Sequence, residues 1–153
     1  MKNIFGLRVF FVLFISILVF NGCKEDPLSH NEEHFKAIGM LVYDASGKQI
    51  AKILRGVTAD TLKGTAGLTT EHHTVKFYDE SEKIVNAPNN PLSKFTFKVD
   101  DASVSTIWQH PGEEGGFEFH IKGIKTGKTH VEFFIEHEGH NDFRTGKFPL
   151  AIK

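Results

Sequence analysis

Nine histidines and one cysteine carry the distinctive chemistry of this 153-residue chain. The histidines are His30, His34, His72, His73, His110, His120, His130, His137 and His140, with no homopolymer run among them. The segment His137-Glu138-Gly139-His140-Asn141-Asp142 has the form H-x-x-H-x-D. Gly139 lets it fold back so that two imidazoles and the Asp142 carboxylate converge. His110, beside Pro111, joins that group if its loop lies at the same end of the domain. His120 and His130 form a second candidate pair, which meets only if their strands are neighbours. Adjacent residues of a strand point to opposite faces, so only one of His72 and His73 can enter any given site. His30 and His34 flank Glu32-Glu33 and offer a weak site. Imidazole and carboxylate without thiolate suit Zn²⁺, Cu²⁺ or Ni²⁺ rather than Ca²⁺ or Mg²⁺. The competing reading is ordinary: a surface histidine decorates a solvated sheet or caps a loop. His137 shares the parity of an apolar row, so it also reads as a satisfied buried histidine.

Other chemistries find little support. The H-x-x-H spacing differs from the H-E-x-x-H helix of metalloproteases. There is no G-x-S-x-G elbow, no P-loop and no credible Ser-His-Asp set, so an enzyme is not expected. Without a basic stripe or a stacking-aromatic motif, nucleic acid is not an expected partner. Trp108, next to Gln109-His110, reads as a core tryptophan rather than a ligand platform.

The elements that must position the histidines are short strands. Ile38–Asp44 and Gln49–Arg55 flank Ala45-Ser46-Gly47-Lys48 and predict a hairpin. Thr61–Thr70 is ambiguous and reads as an irregular edge strand bent at Gly64 and Gly67. His72–Tyr78 alternates, with Val75 and Phe77 on one face. Asp79–Asn90 is a long connection. Lys94–Val99 places Phe95, Phe97 and Val99 opposite Lys94, Thr96 and Lys98. Val104–Gln109, Phe117–Ile121, Thr129–Glu136 and Phe148–Lys153 complete the set. In Phe117–Ile121, His120 opposes Phe119 and Ile121; in Thr129–Glu136, His130 opposes Val131, Phe133 and Ile135, so both imidazoles point away from the apolar rows. Short alternating strands separated by turn signals predict an all-β, antiparallel sandwich of about seven to nine strands.

The N-terminus is a different kind of segment. Lys2 and Arg8 precede the uncharged run Val9–Phe20, and Gly22-Cys23 is followed at once by Lys24-Glu25-Asp26-Pro27. A charged start, an apolar run and a small residue make a secretory signal over residues 1–22. The run is shorter than the roughly 20 residues that span a bilayer. Phe20-Asn21-Gly22-Cys23 resembles the lipobox of bacterial lipoproteins. That resemblance implies cleavage before Cys23, covalent lipid on Cys23, and anchoring in the cell envelope, at the outer membrane. The Lys24-Glu25-Asp26 run is similar to the export tag of surface lipoproteins in Bacteroidota. Residues 23–35 read as a polar tether and 36–153 as the folded domain. All 19 acidic residues follow Cys23, while Lys2 and Arg8 precede it, so the processed chain is acidic. Lipid on the only thiol leaves no disulfide, and any metal site must use nitrogen and oxygen ligands.

The segment Asp100–Ile135 resembles the second half of the bacterial Ig-like group 2 domain. The matching positions are Asp101, Ser103, Val104, Ile107, Gly123, Ile124, Gly127, Thr129 and Val131. The resemblance implies an Ig-like sandwich in which Gly123 and Gly127 permit tight turns and Ile124 plugs one end. In such a corner His120 and His130 lie on opposite sheets. Taken together, the expectation is an envelope lipoprotein whose His-rich sandwich binds a divalent transition metal or a metal-loaded partner. Its first ligand candidates are His137, His140, Asp142 and His110, with His120 and His130 second. Its partners would be the membrane, through the anchor, and an outer-membrane transporter or surface protein. The alternative is a structural or adhesive Ig-like surface module.

Overall fold

The computed structural model describes residues His34–Lys153. The expected signal segment, Cys23 with its expected lipid, the expected tether as far as Glu33, and His30 lie outside the described residues.

Ten strands follow one another: β1 (Gly39–Tyr43), β2 (Gln49–Leu54), β3 (Leu62–Gly64), β4 (His73–Tyr78), β5 (Ile84–Val85), β6 (Ser93–Val99), β7 (Ser105–Trp108), β8 (Glu118–Gly123), β9 (Gly127–His137) and β10 (His140–Ile152). They form an all-β sandwich of two sheets. One sheet has the order β2-β1-β4-β8-β7, with β5 also paired to β4; the other has the order β3-β10-β9-β6. Every pairing between these strands is antiparallel except β3 with β10, which is parallel. The ten strands among the described residues exceed the expected seven to nine because the long connection Asp79–Asn90 contributes β5. The largest difference is β10, expected to begin near Phe148. Gly146 and Pro149 interrupt its alternation in sequence. The strand absorbs an irregularity between Arg144 and Lys147, where Gly146 adopts φ 80°.

Alternation decides what is buried. His73, Val75 and Phe77 face inward from β4, and Val131, Phe133 and Ile135 from β9. Phe77, Phe95, Phe119, Phe133 and Phe148 are all buried in one cluster. Phe95 and Phe133 stack across β6 and β9 with centroids 5.2 Å apart, and Phe119 of the opposite sheet lies 4.9 Å from Phe133. This aromatic layer ties the two sheets together where no disulfide can. Phe97 and Val99 continue the β6 row but are only half-buried at its rim.

Three expectations are corrected. Trp108 is not a core residue: it lies on the outer face of β7 and is partly exposed. Ile124 does not plug the sandwich, being 46% exposed. Gly123 and Gly127 are absent from the positive-φ positions, so close approach rather than turn conformation calls for glycine. A Cβ at 123 would sit 2.3 Å from the Thr65 carbonyl oxygen, and one at 127 would sit 3.2 Å from Val104. Val104, Ile107, Thr129 and Val131 are buried, and Asp101 caps the turn through its bonds to Ser103. The packed domain also reaches back into the expected tether. The Phe35 ring meets Phe77 edge-on at 5.2 Å, and its N–H donates to Asp142.

Candidate metal centres

Among the described residues, two groups of side chains converge as metal ligands do. One comprises His72, His110 and His120; the other comprises His34, His137, His140 and Asp142. Within each group the ligand atoms all lie within 4.8 Å of one another.

The three-histidine group stands on the outer face of β4, β8 and β7. His73 pairs with Phe119 and Trp108 with His120. Continuing the first register one step sets His72 beside His120 on one side, with Trp108 on the other. His110 follows Trp108 by two residues and shares its face. Trp108 walls the group, its ring centroid 4.5 Å from that of His110 and 4.9 Å from that of His120. The loop after His110 is pinned by Gln109, which donates to the Gly116 and Glu118 carbonyls and accepts from Gly115 N–H.

The protonation of this group follows from its outer partners. His120 Nδ1 lies 2.8 Å from the Thr70 carbonyl oxygen, which only accepts, so Nδ1 carries the proton. His72 Nδ1 lies 3.2 Å from Glu118 Oε2 and donates likewise. In the neutral rings both Nε2 lone pairs then face inward. His110 Nε2 is 3.3 Å from each of the other two Nε2 atoms. A tetrahedral ion with Zn–N bonds near 2.0–2.1 Å separates its ligand nitrogens by about 3.3–3.4 Å. A proton on His110 can satisfy only one of these contacts at a time; a cation satisfies all three lone pairs. A carbonyl and a carboxylate behind the ligating rings are the usual outer support of a histidine metal site.

The second group is built at the β9–β10 hairpin. His137 and His140 are register partners, joined by a two-residue turn in which Glu138 and Gly139 have φ 49° and 88°. Positive φ at both residues is the type I′ pattern that matches strand twist. The tight H-x-x-H-x-D loop is therefore a strand pair and its turn. Asp142 falls at a register shift between Asn141 and Phe143, and this bulge re-aims its side chain. The carboxylate, 1% exposed, holds His34 Nδ1 at 2.8 Å on Oδ1 and Phe35 N–H at 3.1 Å on Oδ2. His140 Nε2 lies 3.5 Å from Oδ1 and 3.4 Å from His34 Nδ1. Burial pushes the Asp142 carboxyl up. The bonds from His34 and Phe35 N–H and the nearby imidazoles outweigh it, so its pKa falls below the ordinary 3.8.

His137 is buried, with its Nδ1 lacking a hydrogen-bond partner among the described residues and 3.8 Å from Asp142 Oδ2. Its Nε2 lies 3.2 Å from Asn90 Nδ2. Asn90 donates there while its oxygen accepts from Leu92 N–H. To ligate through Nδ1, His137 must move its proton to Nε2, and Asn90 must turn its oxygen toward it. The second group is thus less ready for an ion than the first.

The sequence candidates sort as follows. His137, His140 and Asp142 come together, as the H-x-x-H-x-D spacing suggests. His110 lies apart from them and joins His120 instead. His130 belongs to neither group: it is on the other sheet from His120, with Nδ1 3.6 Å from Asp100. His34 and His72 are the residues the leading ligand set omits. Strand parity carries a signal for His72, which must face outward if His73 faces the core. For His34 there is none, because 108 residues separate it from Asp142.

No family model and no curated protein matches the chain. Among solved structures it is similar to S-layer protein SbsC domains 4 and 5, at 15% identity and a TM-score of 0.39 over 76% of this chain. The match spans 65% of the length of that structure.

Proposed function

We propose that this chain is an envelope-anchored lipoprotein whose sandwich binds a divalent transition metal, with Zn²⁺, Cu²⁺ and Ni²⁺ as the ions its ligands suit. The observation that carries the reading is the convergence of three Nε2 atoms, two of them with the opposite N–H already engaged. The His34–His137–His140–Asp142 group is a second, weaker centre. The role is capture or buffering of metal at the outer membrane, handing it to a transporter or surface protein. The lipid address is supported by the charged start, the apolar run Val9–Phe20 and the Phe20–Cys23 resemblance.

The test is stoichiometry. The purified, untagged protein is loaded with each metal, dialysed, and assayed for bound ion. The expected result is at least one ion retained, with the bound metal reduced by one ion when His110→Ala and His120→Ala are combined. Retention unchanged by that pair places the ion elsewhere, and no retained ion leaves the structural surface module as the better reading. The address is tested separately, by incorporation of labelled fatty acid that Cys23→Ser abolishes.

A further inference from the structure

The two centres differ in completeness. The hairpin group offers four ligand groups, the full set of a closed tetrahedral site. The other offers three and stands beside a cleft of about 430 Å³. Three protein ligands with an open fourth position are the pattern of metal sites that exchange a ligand.

What the fourth position accepts follows from the cleft. Besides the histidines, it is lined by Gln109, Glu113, Gly116, Phe117 and Glu118, with no lysine or arginine among the described residues of its lining. Two carboxylates lining the cleft disfavour an incoming anion, while Phe117 gives the cleft an apolar wall. We propose that a metal held by His72, His110 and His120 keeps its fourth position open to this cleft, and that a neutral imidazole takes it in preference to an anion. The proposal rests on the metal-binding reading and deepens it. A histidine side chain from a peptide or partner protein is the ligand class that would enter here. Metal would then pass through an intermediate in which four imidazoles share the ion.

Co²⁺ is the probe, since its visible bands report coordination directly. His34→Ala with His140→Ala empties the hairpin group while altering two partly exposed side chains. That variant, loaded with Co²⁺, is titrated with imidazole and separately with thiocyanate at constant ionic strength. Imidazole is expected to shift the bands with cobalt still bound, at a concentration roughly tenfold or more below that of thiocyanate. Glu113→Gln is expected to narrow that gap. An unmoved spectrum means the fourth position is filled, and equal potency of the two ligands removes the claimed selectivity. Cobalt stripped by imidazole without a ternary spectrum also overturns the proposal. Cobalt bound by the wild type but not by the double variant defeats it while leaving metal binding intact. No cobalt in either protein defeats both readings.

Discussion

His73 sits among core side chains with neither ring nitrogen hydrogen-bonded, which gives a prediction independent of any metal. It is 7% exposed and its ring centroid lies 5.3 Å from that of Phe119. Burial pushes its pKa below the ordinary 6.5. The Tyr43 backbone carbonyl opposes this in part but does not reach hydrogen-bonding geometry, and the charges of His120 and His72 push the same way as burial. His73→Leu replaces two unpaired polar atoms by an apolar group of similar bulk. Relieving unsatisfied buried groups of this kind is worth about 1–3 kcal/mol, reduced here by imperfect repacking. The pH dependence is the sharper signature. As pH falls below 6.5 the unfolded chain protonates this histidine while the folded chain resists. Wild-type stability therefore drops through the window from 6.5 down to the lower folded value, by at most about 1.4 kcal/mol per pH unit for one proton. Urea unfolding of both proteins from pH 8 to pH 5 gives the difference directly, with the other titrating groups cancelling. The leucine variant is expected to be the more stable, with its advantage widening toward acid. Parallel curves, or a variant less stable at every pH, would refute the account of His73 as a buried, unpartnered base.

Glu118→Gln keeps an acceptor for His72 Nδ1 but removes its charge, and is expected to weaken metal binding about 10-fold to 100-fold, measured by chelator competition. Both side chains are partly exposed, which favours the lower end. Asp142→Asn should loosen His34 and Phe35 and cost about 1–3 kcal/mol in denaturant unfolding. Because the Asp142 pKa is lowered, its contribution is present above 3.8 and is lost as pH falls through the lower folded value; the asparagine variant should lack that acid limb. Gly123→Ala brings a methyl group to 2.3 Å from the Thr65 oxygen, so the two segments must part. A loss of about 1–3 kcal/mol is expected, whereas a neutral result would show that this approach is slack.

Local pattern was enough for most strands, because a period-2 alternation with Phe, Val and Ile on one face has one favourable way to bury its apolar row. It was also enough for the hairpin group's nucleus, since His137, His140 and Asp142 fall within one turn's reach. It was not enough for β10, where Gly146 and Pro149 break the alternation but partners on both edges hold the strand. Nor did it place Trp108, whose size suggested the core while its parity with His120 and His110 sets it outside.

What the sequence determined alone was the all-β class and the face each histidine of an alternating strand must take. These are local properties, following from the two-residue repeat of a strand and from the side chains present. Which histidines meet was decided by tertiary structure. His120 of β8 meets His72, just before β4, and His110, just after β7, because sheet order brings these strands together, and His34 reaches Asp142 across 108 residues. Pairing register and the bulge at Asp142 set those distances, and both depend on the packing of the whole sandwich rather than on any one segment.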